Sequence, residues 1–202
     1  SRSGNILIGK EAGKAIDSSD NIFVGTQAGK VNTTGNDNVF IGTDTGLANV
    51  TGSDNIFLGY KAGTSNLSNN NIFIGPQSGQ ANTTGSSGIM IGTATGYSNK
   101  AGENNIFIGA NAGYSSNVNN NMFIGTEAGY NTTLGTDNIF VGTTSGRANV
   151  IGKQNIFMGA FAGKVSTAND NVFIGPNSGY SNTTGKQNLF MGSSAGYTNI
   201  IG

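Results

Sequence analysis

Apolar triplets recur along the whole chain, and nearly every triplet follows an asparagine and precedes a glycine. The segment from Asn105 to Gly109, with Phe107 at its centre, is representative. Such a triplet is too short for a helix, and β-branched residues bounded by glycine are typical of a strand. Glycine and asparagine tolerate tight turns and left-handed backbone, so the intervening polar segments are interpreted as turns. The pattern predicts twelve short strands.

The glycine after each triplet defines the repeat. The twelve repeat glycines are Gly9, Gly25, Gly42, Gly59, Gly75, Gly92, Gly109, Gly125, Gly142, Gly159, Gly175 and Gly192. Their spacings of 16, 17 and 17 residues recur every 50 residues without an insertion, which is typical of a solenoid or fibre. We expect an all-β fold: a parallel β-solenoid or β-roll of about twelve 16–17-residue coils. Residues 1–202 would form a single continuous repeat array, as a segment of a longer fibre.

An asparagine column precedes the triplets in eleven of the twelve repeats, and Gly88 is the exception. Its members are Asn5, Asn21, Asn38, Asn55, Asn71, Asn105, Asn121, Asn138, Asn155, Asn171 and Asn188. Stacked asparagines can pass hydrogen bonds from coil to coil through their amides and satisfy turn backbone. We therefore expect a structural asparagine ladder. A second, less regular column, from Asn32 to Asn199, is expected to do the same at another turn.

A phenylalanine column occupies the centre of the triplet, with Leu7 and Met90 in the two remaining repeats. Its members are Phe23, Phe40, Phe57, Phe73, Phe107, Phe123, Phe140, Phe157, Phe173 and Phe190. Successive strand residues point to opposite faces, so the Phe column faces one way and the flanking aliphatic residues the other. One face can fill the coil, and the other then forms an apolar stripe about 55 Å long. Burying each Phe contributes about 1.5–3 kcal/mol, so we expect this column in the core or at a subunit interface.

An apolar stripe of this length indicates an interface. In the preferred arrangement, three copies of the chain cover it by packing around a threefold axis as a homotrimer. In the alternative, a single chain covers itself as a three-faced solenoid with 50-residue turns, which the 50-residue order of the repeat favours. Duplication of a 50-residue ancestor explains the same order equally well.

Composition narrows the function classes. The chain has no Cys and no His, so the usual general base and the commonest metal ligands are missing. Ten basic residues balance ten acidic ones, so no net charge attracts nucleic acid. No apolar run approaches the roughly 18 residues of a membrane span. We expect no catalysis, no metal, no cofactor, no nucleic-acid partner and no membrane insertion by this segment.

The most variable column lies five residues after the repeat glycine. It combines Lys, Arg and other residues with the tyrosines Tyr97, Tyr114, Tyr130, Tyr180 and Tyr197. Variation within one chain indicates exposure, and an outward row of Tyr and basic residues could stack on sugars or contact a partner surface. We treat these tyrosines as possible surface-contact residues, while solvated coil edges would show the same pattern.

Two other columns bear on ligand binding. Asp20, Asp37 and other acids share a turn position with amides in the remaining coils, and this exchange argues against a calcium site. The position directly after the repeat glycine carries threonines, as in an ice-binding ladder, but other residues interrupt the row. Turns of 50 residues would regroup it and place Thr43, Thr93 and Thr143 on one face.

The motif Asn-Ile-Phe-Ile-Gly-x-x-Ala-Gly, from Asn105 to Gly113, resembles the head repeat of YadA-like trimeric autotransporter adhesins. Related glycine- and asparagine-rich repeats occur in other bacterial and phage trimeric fibres. The resemblance covers the whole chain at the level of the repeat and implies a left-handed parallel β-roll that trimerises and binds host matrix or surfaces. The chain departs from those heads in carrying Phe where they usually have a small residue.

These observations predict a structural or adhesive segment of an extracellular or cell-surface fibre, which places the chain in a secreted or surface-exposed protein. The expected partners are further copies of the chain, as a trimer or a longer filament, and a cell surface, matrix or glycan. The alternative prediction is a ligand-binding β-solenoid, such as an ice-binding or glycan-binding module.

Overall fold

The computed structural model describes residues 3–201, which contain twelve β-strands of three residues each and no helix. The strands are β1 Ile6–Ile8, β2 Ile22–Val24, β3 Val39–Ile41, β4 Ile56–Leu58, β5 Ile72–Ile74, β6 Ile89–Ile91, β7 Ile106–Ile108, β8 Met122–Ile124, β9 Ile139–Val141, β10 Ile156–Met158, β11 Val172–Ile174 and β12 Leu189–Met191. Turns and bends connect them. We number the coils 1–12 after the strand that each contains.

All twelve strands form one parallel sheet in chain order. Their central residues are in register, so that Phe107 lies beside Phe123 and Met90 lies beside Phe73. Each coil is therefore one 16–17-residue turn of a parallel β-solenoid, and the predicted fold class is confirmed. The same register excludes the alternative 50-residue turn, because β2 would then pair with β5, whereas it pairs with β1 and β3.

Every third coil is one residue shorter than the other two. The missing residue belongs to a turn, and its absence leaves the strand register unchanged. In coil 3, the Nδ2 of Asn38 donates to the carbonyl of Gly52, 14 residues later, at 2.8 Å. In the short coil 4, the Nδ2 of Asn55 makes the same bond to the carbonyl of Ser68, 13 residues later, at 2.9 Å. The 50-residue order is thus produced by a shorter turn in every third coil, and the strand register is the same in all coils.

The phenylalanine column forms the core of the solenoid. Its members from Phe23 to Phe173 are fully buried, and Phe190 packs against them in the last coil. Rings in consecutive coils stack with centroids 4.8–5.1 Å apart and nearly parallel planes. Small residues such as Ala28 and Ala112 share this core. The sequence left open whether the Phe column was core or subunit interface, and the structure places it inside the coil.

Two glycines in each coil make this packing possible. Gly109 has a φ of 129°, and a Cβ there would lie 2.6 Å from the carbonyl of Gly125 in the next coil. Gly113 has a φ of 57°, and a Cβ there would lie 2.7 Å from the ring of Phe107. The first glycine therefore allows the coils to approach closely, and the second leaves room for the ring.

Two more positions of the repeat have positive φ at residues other than glycine, with Gly4, which precedes Asn5, as the exception. One precedes the asparagine column and includes Asp37 at 56° and Asn120 at 59°. The other lies two residues after the repeat glycine and includes Thr144 at 54° and Phe161 at 63°. Asp and Asn adopt left-handed backbone more readily than β-branched or bulky residues do. Stacking against the neighbouring coils therefore imposes one backbone path whatever the side chain.

Candidate interaction surfaces

The asparagine ladder joins the turns of neighbouring coils. The backbone N–H of Asn38 donates to Oδ1 of Asn21 at 3.0 Å, and that of Asn138 donates to Oδ1 of Asn121 at 3.1 Å. The Nδ2 of Asn138 donates to the carbonyl of Gly152 at the far end of its own coil, at 2.9 Å. The predicted amide-to-amide bonds are also present, since the Nδ2 of Asn38 donates to Oδ1 of Asn21 at 3.1 Å and that of Asn138 to Oδ1 of Asn121 at 3.2 Å, so the asparagine ladder is confirmed.

The predicted ladder residues share this environment. Those that are buried are Asn21, Asn38, Asn55, Asn71, Asn105, Asn121, Asn138, Asn155 and Asn171, while Asn188 in the last coil is partly buried. Their amides are hydrogen-bonded inside the wall of the coil and stabilise it.

The second asparagine column shapes individual turns. Oδ1 of Asn99 accepts the backbone N–H of Gly102 at 2.7 Å, and Oδ1 of Asn149 accepts that of Gly152 at 2.6 Å. A bond between coils runs from the Nδ2 of Asn32 to Oδ1 of Asn49 at 3.3 Å. Ser116 and Thr132 replace Asn in this column, and their buried hydroxyls have no hydrogen-bond partner within residues 3–201, so these turns form without the local side-chain bond.

The outer face of the sheet is an aliphatic stripe. It consists of the two residues that flank the centre of each strand, from Ile6 and Ile8 in β1 to Leu189 and Met191 in β12. Every one of these positions holds Ile, Val, Leu or Met, and none is buried within the chain. At about 4.8 Å per strand and about 10 Å for the strand length, the stripe covers about 500 Å².

The sequence predicted an apolar stripe but not which face of the strand forms it, because the Phe column and the positions that flank it are both apolar. A usable signal was present three residues after the repeat glycine, where Ala28, Ala62 and Ser78 recur as small, buried residues. A narrow coil accommodates large side chains from one wall only when the opposite wall is small. That pairing identifies Phe as the inward residue and the aliphatic pair as the outward one.

A shallow groove of about 410 Å³ runs along one edge of the aliphatic stripe in coils 6–9. It is lined by Asn104, Ile106, Asn120, Asn121, Met122, Asp137, Asn138 and Ile139. On the polar side, the Nδ2 of Asn120 donates to Oδ1 of Asp137 at 3.1 Å. The groove joins an aliphatic floor to a rim of amides and one carboxylate.

The predicted surface tyrosines form a continuous ridge with the cations between them. We define the tyrosine ridge as Tyr97, Tyr114, Tyr130, Arg147, Lys164, Tyr180 and Tyr197, in coils 6–12. The ring centroids of Tyr97 and Tyr114, and those of Tyr114 and Tyr130, are 5.0 Å apart, with planes 3° apart. Tyr180 and Tyr197 are also 5.0 Å apart. The structure therefore brings these five tyrosines into one row, interrupted by two cations.

Most ring faces within the tyrosine ridge are already covered, and only Tyr97 and Tyr197, at its two ends, stack on one face alone. The guanidinium of Arg147 lies 5.2 Å from the ring centroid of Tyr130, and the Nζ of Lys164 lies 5.4 Å from that of Tyr180. Tyr114 is stacked on both faces. Burial raises the pKa of Tyr114, and the neighbouring Tyr130 and Tyr97 raise it further. The edges of the rings and their hydroxyls are the parts that a ligand can reach, rather than the ring faces that stacking on sugars requires.

In coils 1 and 2, the column that forms the tyrosine ridge in later coils holds Lys14 and Lys30, and both lysines contact Glu11. Glu11 accepts hydrogen bonds from Lys30 at 2.8 Å, from Lys14 at 2.9 Å and from Gln27 at 3.1 Å. These bonds, with that of Lys30 the strongest influence, lower the pKa of Glu11 to about 2. The carboxylate ties coils 1 and 2 together on the surface.

The acidic turn column owes its composition to backbone geometry. Asp20, Asp37 and Asp54 have φ values of 60°, 56° and 58°, and Asn70 takes their place in coil 4 with 61°. Tolerance of left-handed backbone is what Asp and Asn share, which accounts for their exchange. Within residues 3–201, no group of three or more His, Cys, Asp or Glu side chains is placed to hold a metal ion.

The threonine-containing row after the repeat glycine lies on the surface but stays interrupted. Thr43 is followed in the next coil by Tyr60, and Tyr60 by Pro76. Because each turn has 16–17 residues, the regrouping of Thr43 with Thr93 that 50-residue turns would give does not occur. In the part of the chain that the structure describes, no helix is long and apolar enough to cross a bilayer.

The chain was compared with known proteins at three levels. No protein-family model matches it, and neither a curated protein nor a solved structure gives a significant match. The repeat geometry and the two surfaces are therefore the basis for assigning a function.

Proposed function

We propose that the chain is a structural segment of an extracellular or cell-surface fibre in which three copies pack their aliphatic stripes together around a common axis. The stripe carries this proposal. It places two aliphatic side chains per coil on the outside of a twelve-stranded sheet, and Met158 and Ile139 are 43% and 37% exposed. Exposed apolar patches above a few hundred Å² mark interaction sites, and the stripe covers about 500 Å².

The dimensions of the stripe fit self-association along its whole length. Two stripes that face each other remove about 1,000 Å² from water, which reaches the lower range of specific interfaces, and a third copy adds to this area. Each stripe repeats at the spacing of the strands, so an identical chain presents a surface of the same period. The groove beside Ile106 and Met122 gives such a neighbour a recess at the edge of the stripe.

The repeat pattern favours an adhesive fibre among structural ones. The Asn-Ile-Phe-Ile-Gly motif resembles the head repeat of YadA-like trimeric adhesins, and a rod with identical coils suits the display of a surface at a distance from a cell. In this proposal the aliphatic stripe assembles the fibre, and the surfaces outside the stripe meet the matrix or cell surface. The protein has no catalytic task.

Sedimentation equilibrium tests the assembly. The wild-type chain should sediment at three times its 20.5 kDa mass. A double variant, Ile106→Lys with Ile124→Lys, should dissociate while it keeps its β-type far-UV spectrum, because both side chains already lie outside the coil. Thr126→Lys is the matched control, since it adds the same charge at an exposed position outside the stripe. A monomeric wild-type chain, or a double variant that stays trimeric, would exclude the proposal.

A further inference from the structure

We propose that the tyrosine ridge binds a linear, neutral polysaccharide that lies parallel to the solenoid axis. This inference goes beyond the fibre function. Each ridge residue directly follows the glycine that lies against a core side chain, as Tyr114 follows Gly113 beside Phe107. The core therefore lies between the tyrosine ridge and the strands that carry the aliphatic stripe. A chain whose stripe is covered by other copies therefore keeps its ridge available.

The ridge is pre-organised by the backbone. The N–H of Ser98 donates to the carbonyl of Tyr114 at 2.9 Å, and the N–H of Ser115 donates to the carbonyl of Tyr130 at 2.9 Å. These bonds set the distance between successive tyrosines, and stacking at 5.0 Å holds their rings parallel. A row that is ordered before binding loses little further conformational freedom when a ligand arrives.

The accessible groups select a ligand rich in hydroxyls. Because most ring faces are covered by other rings or by Arg147 and Lys164, nucleic-acid bases and flat aromatic ligands find few faces on which to stack. The outward edges offer phenolic hydroxyls, which both donate and accept hydrogen bonds. The hydroxyls of a sugar chain have the same dual capacity.

The charge balance selects a neutral ligand. The Nε of Arg147 pairs with Oε2 of Glu127 at 2.6 Å, and the Nζ of Lys164 lies 3.3 Å from the hydroxyl of Tyr180. Lys164 also lies 5.3 Å from the ring centroid of Phe161. Both cations are therefore engaged within the protein and support the rings. Glu127 balances the charge of Arg147, so the ridge carries the single unbalanced charge of Lys164 over seven coils, which is too little to favour a sulfated or carboxylated polymer.

The periodicity of the ridge selects a polymer. Each tyrosine coil contributes one hydroxyl at a fixed step along the axis, so a ligand that repeats its own hydroxyls along its length can bond to several coils at once. Linked contacts of this kind raise the affinity without any single strong contact. A monosaccharide should bind weakly, and the affinity should increase with the number of sugar units.

Isothermal titration calorimetry tests the site with neutral oligosaccharides of glucose and of N-acetylglucosamine, from two to six units long. We expect the affinity to rise with length and to change little between low and high NaCl. The triple variant Tyr114→Phe, Tyr130→Phe, Tyr180→Phe keeps the stacked rings and removes three hydroxyls, and it should bind at least tenfold more weakly. Tyr60→Phe is the matched control, because Tyr60 is the one tyrosine outside the ridge, and it should bind like the wild type.

Three results would overturn the proposal. One is no measurable binding of any of these oligosaccharides, and another is binding of sulfated oligosaccharides alone that disappears with salt. The third is a triple variant with wild-type affinity. The stripe variant Ile106→Lys with Ile124→Lys separates the two proposals, because it should lose assembly while its monomers keep the binding site.

Discussion

The backbone N–H of Gly88 donates to Oδ1 of Asn71 at 2.9 Å, and with this bond the first part of the asparagine ladder ends. Gly88 has no amide to pass on to Asn105, where the ladder begins again. In the same coil, Met90 interrupts the stack of Phe rings, and its Cε lies 3.7 Å from the place of a Cβ at Gly88. The two irregular residues of coil 6 thus lie side by side.

Gly88→Asn should stabilise the solenoid by about 1–2 kcal/mol, because it restores a ladder hydrogen bond and removes a flexible glycine. The φ of Gly88 lies outside the left-handed region, and a Cβ there would approach Oδ1 of Asn71 at 3.2 Å, a distance that a small shift relieves. Urea unfolding and amide hydrogen exchange in coils 5–7 measure the effect. Asn138→Gly creates the same gap in a regular coil and should cost about 1–3 kcal/mol. A Gly88→Asn chain no more stable than the wild type would contradict the structural role of the ladder.

Thr144→Asn should stabilise the chain by about 1–2 kcal/mol. Thr144 is β-branched with a φ of 54°, and its Oγ1 is buried without a hydrogen-bond partner. Asn111 and Asn177 occupy the same position in other coils with φ values of 57° and 59°, so Asn is compatible with this backbone. Thermal unfolding measures the gain. The reverse substitution, Asn111→Thr, should destabilise the chain by a similar amount, and equal midpoints for both variants and the wild type would show that the position carries no strain.

Phe107→Ala should cost about 3–5 kcal/mol and open the coils around it, because the ring is fully buried between Phe123 and Met90. Ile106→Ala, one residue away on the outer face, should leave the folding of a single chain nearly unchanged and weaken its assembly. Hydrogen exchange reports the first effect, and sedimentation reports the second. If the two variants behaved alike, the assignment of inner and outer faces would be wrong.

Acid should weaken the contact between coils 1 and 2. The pKa of Glu11 is lowered to about 2, first by Lys30 and then by Lys14 and Gln27. Because the folded pKa lies below the unfolded value of 4.5, the stabilisation is present above pH 4.5 and is lost as the pH falls towards 2. NMR titration of the Glu11 carboxyl should show this low value in the wild type and a higher one in Lys30→Gln. Equal pKa values in the two proteins would exclude the ion pair in solution.

The sequence predicted the coil, its register and its ladder, because each depends on a residue type at a fixed place in the repeat. Asn38 and Asn138 lie where the pattern put them, and each makes the predicted amide-to-amide bond together with a backbone N–H bond to the same oxygen. The inward face was harder to assign, because both faces of a strand such as Ile106–Ile108 are apolar and alternation alone does not distinguish them.

The details of the surface depended on contacts that a linear pattern does not contain. The tyrosines from Tyr97 to Tyr197 were recognisable as an outward column, but the occupation of their ring faces follows from the 5.0 Å step between coils. The pairing of Arg147 with Glu127 joins residues 20 positions apart in sequence, at two different places in the repeat. This pair can be predicted only when the length of one turn, 16 or 17 residues, is known, because that length places the two residues in neighbouring coils.

The hydrogen bonds between coils, such as that from Ile106 N–H to the carbonyl of Asn121, join each coil to the next along the solenoid axis. A tensile load applied to the two ends therefore passes through every junction in series, and the weakest junction determines the rupture force. We expect the junction between coils 6 and 7 to yield first, since the amide ladder lacks its bond there and Met90 interrupts the ring stack. Force spectroscopy should record extension in steps of single coils, and Gly88→Asn should raise the lowest of these forces. The contact between coils 6 and 7 would then be the point at which the solenoid first opens under load.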